Sequence, residues 1–437
     1  MNLGDLSGRR VALLGLGIDV RAAIGPILRS GVDELVVVDS SLEAGRTVEV
    51  ERHELKVVEL QTACDQADVL VRSPGFPRYL AELVAARESG VAMTTPVDLY
   101  LGGIEPGRRT VLVTGTKGKS TTTDLIGQMA REAGLSVGIA GNLGIPVFQS
   151  GWDDDASIIV LEVSSYQAAD LHHAPDIAVV TSIAEDHLSW HGGLDRYLHD
   201  KLRIVSNDAG VAETVMIPRA EKRAIEVVAQ LFPEIEPVLV DDPVSDSGAP
   251  LHRLRNAALA ARVVEHLGGA SLDDETVAVH AKSGMPGRLD VVESPSGFEH
   301  ITFVDDALAS NPSATAAGLA WSLLTHSDTV VILGGDDRGV SSAPLQREAA
   351  EWNSTPGHRL RAVTLPRNGE DLAHRCGVEI LARAESVTDA VEKAVRELDH
   401  SGSMVVFSPA APTPAGQGNW EARSKEFREA VRKLSHP

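Results

Sequence analysis

Short apolar runs that stop at glycine or a polar residue, each followed by a helical pattern, recur along the whole chain. VALLG, VLVTG, IIVLE, IAVVT, ITFVD, TVVILG and MVVFS are among them. A run that is apolar at successive positions buries both faces of a strand, and this calls for a parallel sheet covered by helices on each side. The expected fold class is therefore α/β. With 437 residues the chain exceeds one ordinary core, so two to three domains are expected.

The runs fall into three series. RRVALLGLGIDVRAAIGPILRSGVDELVVVDSS reads as strand, glycine turn, helix and strand, and opens a small doubly wound unit. A second parallel set holds VLVTGT, IIVLEVSS and IAVVTSI. SGMPGRLDVV, with Gly284, Pro286 and Gly287, marks a boundary before the third set. The expected division is a Rossmann-like domain over residues 1–96, a P-loop ATPase-like domain over 97–284 and a second Rossmann-like domain over 285–437. There is no internal repeat, and the order of strands within each sheet is not readable.

A net charge of −22 excludes nucleic acid or an acidic membrane as the main partner, although a local loop can still bind phosphate. Cys64 and Cys376 lie far apart and form no CxxC pair, which suits a reducing compartment without disulfides or a zinc site. The first residues lack the apolar core of a signal peptide, and no run approaches the length of a membrane span. A cytoplasmic location is expected.

In TVLVTGTKGKSTTTDLIGQ, Gly115 and Gly118 let the backbone turn so that amides face phosphate oxygens. The helix that follows adds its dipole. Lys119 supplies a point charge for phosphates, and Ser120 or Thr121 a hydroxyl for Mg²⁺. The longer GxxxxGK[ST] form would have glycine at Val113. GLGIDV near the N-terminus lacks the last glycine of a dinucleotide fingerprint, at Val20, so a nucleotide-like ligand other than NAD is expected there. Asp39 ends the strand VVVDSS, a position that suits a ribose or uridine contact. Glu162 lies in an apolar strand, and Glu185, Asp186 and His187 cluster at the end of another. A carboxylate and a neutral imidazole at neighbouring strand ends can hold Mg²⁺. Lys201 sits on a predicted helix, where a lone lysine is usually solvated.

TGTKGKST, GNLGIP, EVSSYQ, EDHLSWHGGLDRYLHDKLRI, GMPGRLDVV, LGGDDRG and SPAAPTPAGQGNWEARSKEF occur in an order and spacing that resembles the Mur ligase family over nearly the whole chain. Within it, the nearest resemblance is to the branch that adds glutamate to UDP-N-acetylmuramoyl-L-alanine. The resemblance implies a first domain that binds the UDP moiety through Ile18, Asp19, Asp39, Ser40, Ser73, Pro74 and Gly75. It implies an ATP loop of Gly115, Thr116, Lys117, Gly118, Lys119, Ser120 and Thr121, with Asn256, Arg288 and Asp306 at adenine and ribose. Ser120, Glu162, His187 and Lys201 would serve two Mg²⁺ ions, Lys201 as a carbamate, and Asn142 would touch the sugar nucleotide. Lys119, His187, Lys201 and Arg288 would attend the reaction itself, an ATP-driven, ADP-forming amide ligation through an acyl phosphate. The working form would be a monomer.

Departures concentrate at the acceptor. Where members that use D-glutamate carry a pattern like SKATN, this chain has Leu308 at the lysine and Ser310 at the threonine; Arg338 replaces a second lysine, and Thr413 and Trp420 stand near the last helix. Arginine and lysine are not equivalent at a carboxylate. DALASNP, GGDDRG and SPAAP are more similar to a branch that adds L-glutamate and leaves inversion to an epimerase. Lys117 and Arg253 each stand where an asparagine is usual, which bears on ATP contacts rather than on the reaction class. Two other readings are a folate polyglutamate ligase, which would lack the N-terminal unit, and a non-catalytic nucleotide-binding scaffold.

Overall fold

Residues 1–143, 145–149, 152–244, 249, 251–282, 287–336, 342–398, 402–414 and 417–434 are described by the computed structural model. The chain divides into two compact units, 1–278 and 279–437. The sequence boundary at 284/285 falls outside the described residues.

Each apolar run becomes a strand with both faces buried. In Arg10–Leu14, Val11 and Leu13 pack with Val20, Ile24 and Ile27 of the helix Ile18–Arg29. Ala12 and Leu14 point the other way, toward Leu83 and Ala86 of the helix Ala81–Glu88. Side chains alternate across a strand, so filling both sides requires an unbroken apolar run. The first sheet runs Thr47–Val50, His53–Val57, Glu34–Val38, Arg10–Leu14, Val69–Arg72, Ala92–Thr94, with only the first pair antiparallel.

The second sheet is parallel throughout: Val238–Val240, Thr214–Pro218, Ile177–Val180, Arg109–Thr114, Ile158–Glu162, Val137–Gly141. Arg109–Thr114 is followed in the chain by strands on one side and then by strands on the other. Such a reversal opens a crevice beyond the carboxyl ends of the strands, where Gly115, Glu162 and Thr181 lie. The second unit holds the third sheet. Asp290–Val292 pairs antiparallel with Ile301–Asp305, and Ser403–Phe407, Asp328–Leu333, Arg359–Thr364 and Glu379–Arg383 follow in parallel.

In the first unit a buried ion network fixes the loop that follows Val69–Arg72 of the first sheet. Arg72 is fully buried, and its Nε donates to Asp170 Oδ2 at 2.7 Å. Arg78 Nε donates to the other oxygen of Asp170 at 2.6 Å. Arg72 Nη1 donates to the carbonyls of Ser73, Pro74 and Phe76 at 3.1, 2.8 and 3.1 Å, so one guanidinium wraps the whole Ser73–Pro74–Gly75 turn. Burial opposes the charge on Asp170, but the two guanidiniums outweigh it and hold its carboxyl below the usual range. Removing one partner from such a network leaves buried charge without compensation. Asp170→Ala is therefore expected to lower the unfolding free energy by about 3–5 kcal/mol. Urea denaturation followed by circular dichroism reads this directly, and a loss below about 1 kcal/mol, the level of an exposed pair, would show that the network is dispensable.

Candidate active site

The glycine loop after Arg109–Thr114 is clamped from the segment that follows Ile177–Val180. Thr116 N donates to Ser182 O at 2.8 Å, and Lys117 N to Ser182 Oγ at 2.9 Å. Thr181 Oγ1 donates to Lys117 O at 2.5 Å, and Thr116 Oγ1 to Ala184 O at 3.1 Å. Gly115 has φ +149°, and a Cβ there would meet Thr181 Oγ1 at 2.0 Å. Gly118 has φ +88° and caps the helix Lys119–Glu132 without a side-chain hydrogen bond. A Cβ on Gly118 would lie 2.8 Å from Asn256 Oδ1, so the helix Leu251–His266 brings Asn256 against the loop.

Two ammonium groups converge on one carbonyl. Lys119 Nζ donates to Gly115 O at 2.9 Å, and Lys201 Nζ donates to the same oxygen at 3.0 Å. Lys201 ends the helix Leu194–Lys201 and is only 3 % exposed. Burial first, and then the charge of Lys119, draws its amine down to about 7, against the pull of Asp186 and Glu162. Glu162 ends its strand 2 % exposed; Oε1 accepts from Asn142 Nδ2 at 2.8 Å, and buried Oε2 has no hydrogen-bond partner among the described residues. His187 has φ +51°. Burial lowers its imidazole, Lys201 and Lys119 add to this, and Asp186 opposes it. The neutral ring has a lone pair to offer a metal.

No group of three His, Cys, Asp or Glu side chains able to hold a metal occurs among the described residues. Mg²⁺ is usually bound by one or two carboxylates with phosphate oxygens and water completing the shell. An orphaned oxygen on Glu162, a neutral His187 and the hydroxyl of Ser120 at the first turn of the loop helix fit such an ion.

Sequence reasoning passed over Tyr197. It is fully buried, its hydroxyl lies 3.0 Å from Thr116 Oγ1, and burial pushes it up to about 12, so it remains a phenol. The signal was present: Tyr197 and Lys201 are four apart on one helix, and Lys201 Nζ lies 5.0 Å from the ring centroid.

At the first sheet, Ile18 is 62 % exposed at the start of its helix, and Ser40 and Gly75 are exposed. Gly17 packs against Ser73, where a Cβ would meet Ser73 Oγ at 2.3 Å; Pro74 is half-buried. The two acids have internal partners. Asp39 accepts from Leu16 N, Ser41 N and Ser41 Oγ at 3.0, 2.9 and 2.7 Å, and so ties two strand-end loops together. Asp19 is buried and accepts from Gln167 Nε2 at 2.9 Å.

In the second unit, Asp306 is buried, and its carboxylate accepts from Ser408 Oγ at 2.7 Å and Leu289 N at 3.2 Å. Burial pushes it up to about 7, with Ser408, Leu289 and Arg288 opposing. Leu308 donates its amide to Gly287 O at 2.8 Å, and Trp420 packs on Gly287. Arg288 and Thr413 are half-buried, and Ser310 is exposed. Arg338 lies outside the described residues.

A family model described as the Mur ligase middle domain matches residues 113–234. A UDP-N-acetylmuramoyl-L-alanine–L-glutamate ligase from Micromonospora sp. is 34 % identical over 476 residues, spanning 100 % of this chain and 100 % of that one. A UDP-N-acetylmuramoylalanine–D-glutamate ligase from Escherichia coli is 28 % identical and spans 99 % of this chain and 100 % of that one. The MurF ligase of Thermotoga maritima in complex with ADP superposes with a TM-score of 0.55 over 99 % of this chain and 96 % of that one at 16 % identity, a likeness of fold.

Gly118→Ala places a side chain at positive φ and against Asn256. It is expected to cost about 1–2 kcal/mol of stability from the backbone alone. It should also raise the Kd of a fluorescent ATP analogue about tenfold or more. Affinity equal to the parent's in a titration would show that this loop does not grip the nucleotide.

Proposed function

Because the chain belongs to the Mur ligase family, we propose that it is an ATP-dependent, ADP-forming ligase that adds glutamate to UDP-N-acetylmuramoyl-L-alanine, with L-glutamate as the acceptor. The observation that carries the reading is the carbonyl of Gly115 shared by Lys119 Nζ and Lys201 Nζ beside the orphaned oxygen of Glu162. The ammonium of Lys119 at this glycine loop is placed to meet a nucleotide phosphate, and its charge helps to draw the neighbouring Lys201 amine down.

A carboxylate is a poor electrophile, so the terminal carboxylate of the sugar nucleotide first takes the γ-phosphoryl group of ATP. The acceptor amine then attacks the acyl phosphate, and inorganic phosphate leaves. Lys119 neutralises charge on the phosphoryl group as it transfers. The loop amides from Gly115 to Thr121 orient the phosphates, with Asn256 at the nucleoside. Ser120, Glu162 and His187 would hold Mg²⁺, which supplies charge neutralisation at the phosphates. Ile18, Asp19, Asp39, Ser40 and the Ser73–Gly75 turn serve the UDP moiety, and Asn142 the sugar. The division of labour follows residues 1–96, 97–284 and 285–437.

Lys201 acts here as a carbamate. An amine drawn down to about 7 is in large part neutral at physiological pH, and a neutral amine adds to CO₂ to give N–COO⁻ with release of one proton. The nitrogen keeps one hydrogen for Gly115 O, while the charge next to Lys119 changes sign. The anion attracts Lys119, and the carbamate oxygen would join Ser120, Glu162 and His187 in holding Mg²⁺.

The L-enantiomer is supported by Leu308, which cannot bind a carboxylate, by Arg338, which can do so in a bidentate fork, and by the 34 % identical relative named for L-glutamate. Ser310, Thr413 and Trp420 complete the acceptor site. An L-configured product calls for an epimerase downstream. The enzyme works as a cytoplasmic monomer; among the described residues no helix is long and apolar enough to cross a membrane.

Three measurements test the proposal. Lys119→Ala is expected to reduce substrate-dependent phosphate release by at least about a thousandfold, in line with the loss of a transition-state donor; release near the parental rate would remove Lys119 from the chemistry. With ¹³C-labelled CO₂ at fixed dissolved concentration, a carbamate resonance should grow as pH rises through about 7 and be absent in Lys201→Arg. A signal that falls with pH, or one that survives the substitution, would exclude Lys201 as its source. With each glutamate enantiomer offered separately, L-glutamate should be favoured, and Arg338→Ala should reduce kcat/KM for it at least about thirtyfold. Equal use of D-glutamate would place the chain with the D-adding enzymes.

A further inference from the structure

Beside Ala92–Thr94, the edge strand of the first sheet, the first unit has a cavity of about 480 Å³. None of the residues assigned above to the nucleotide, the sugar nucleotide or the acceptor lines it. Three arginines from three segments meet there: Arg78 just after the Ser73–Pro74–Gly75 turn, Arg87 in the last turn of the helix Ala81–Glu88, and Arg203 just after the helix Leu194–Lys201. Arg78 is 8 % exposed, and its Nε is taken by Asp170. Its Nη1 and Nη2 have no hydrogen-bond partner among the described residues, yet they are not sealed off, and what surface the side chain keeps opens on the cavity. The Arg87 guanidinium has neither a hydrogen-bond nor an ion-pair partner among the described residues. Arg203 gives Nε and Nη2 to Leu171 O at 3.1 and 2.8 Å and Nη2 to Asp208 Oδ2 at 2.9 Å, which leaves Nη1 over.

The carboxylates of the lining do not cancel this charge. Asp170 is divided between Arg78 and Arg72, so one anion serves two cations. Asp208 is already paired with Arg203, and Glu88 is exposed at the rim. Burial first, and then the charge of Arg78, draws the Arg87 guanidinium below its ordinary value; Arg203 adds to this, and Asp170 and Tyr79 oppose it. Guanidiniums crowded in a concave place gain from an oxyanion that accepts from several of them at once. The rest of the wall is apolar, with Val84, Val91 and Met93, and the volume is that of a pocket for an organic molecule rather than for a bare ion.

We propose that this cavity binds a small phosphomonoester, with its phosphate oxygens on Arg78, Arg87 and Arg203 and its organic part on Val84, Val91 and Met93. A phosphate group offers three terminal oxygens and nearly two charges, against two oxygens and one charge on a carboxylate, so three guanidiniums select the phosphate. The chain's charge of −22 opposes an acidic membrane surface, which makes the ligand a soluble molecule.

The test is isothermal titration of the full chain carrying Lys119→Ala, so that the glycine loop does not compete for phosphate. Phenyl phosphate is the probe, with inorganic phosphate and benzoate as its two halves. Phenyl phosphate is expected to bind one to one, about tenfold or more tighter than either half. Arg87→Glu in the same background should weaken it about thirtyfold or more while leaving the Tm of the free protein unchanged, since this guanidinium supports nothing else. Arg203→Lys, which keeps the charge but loses the fork, should weaken it about threefold or more; if that variant does not fold, Arg87→Glu decides alone. Absence of phenyl phosphate binding, or binding equal in Arg87→Glu, would overturn the proposal, and benzoate bound as tightly as phenyl phosphate would overturn the choice of phosphate. None of these readings depends on ligase activity.

Discussion

The carbonyl oxygen of Gly115 accepts from two ammonium groups, and much of the first unit serves to keep it there. The positive φ of Gly115 turns that carbonyl toward Lys119 and Lys201. Thr181 and Ser182 hold the loop so that it cannot relax away. Tyr197 fills the space behind Thr116, one turn before Lys201 on the same helix. Two amines crowded on one oxygen in a dry setting do not both keep a full charge, and Lys201, the more buried, is drawn down to about 7. Such preorganised charge is what phosphoryl transfer requires, since the protein does little covalent chemistry of its own.

The frame around the first sheet follows the same principle with the opposite sign. Asp170 is a single carboxylate between two guanidiniums, and Arg72 uses its remaining donors on three carbonyls of one turn. Asp39 gathers the amides of Leu16 and Ser41. The loops after the strands of the first sheet are thus shaped by charged side chains with internal partners, while Ile18 and Ser40 stay exposed among them.

Strand positions were legible because a two-faced apolar run has few other uses; the order of strands was not, because pairing is decided by crossovers between distant segments. The phosphate loop was legible from its glycines and lysine. Lys201 was not legible from spacing, since its behaviour comes from burial against Gly115, 86 positions away. Arg72 ends the run DVLVR, and its full burial rests on Asp170, which answers it from 98 positions further on. In each case the missing information was a partner, or the lack of one, that only the folded chain supplies.

Asp306 sets a balance of protons for the second unit. Its carboxyl, raised to about 7 by burial, keeps a proton in the folded state over a range where the unfolded chain, at the ordinary value of 3.8, has released it. Folding therefore takes up a proton between those two values, and this group's contribution to stability declines as pH climbs through that window and levels off above it. Carboxylates held as ions by folded-state partners make a protein sensitive to acid. This one acts in reverse, so mild acidification below about 7 tightens the second unit.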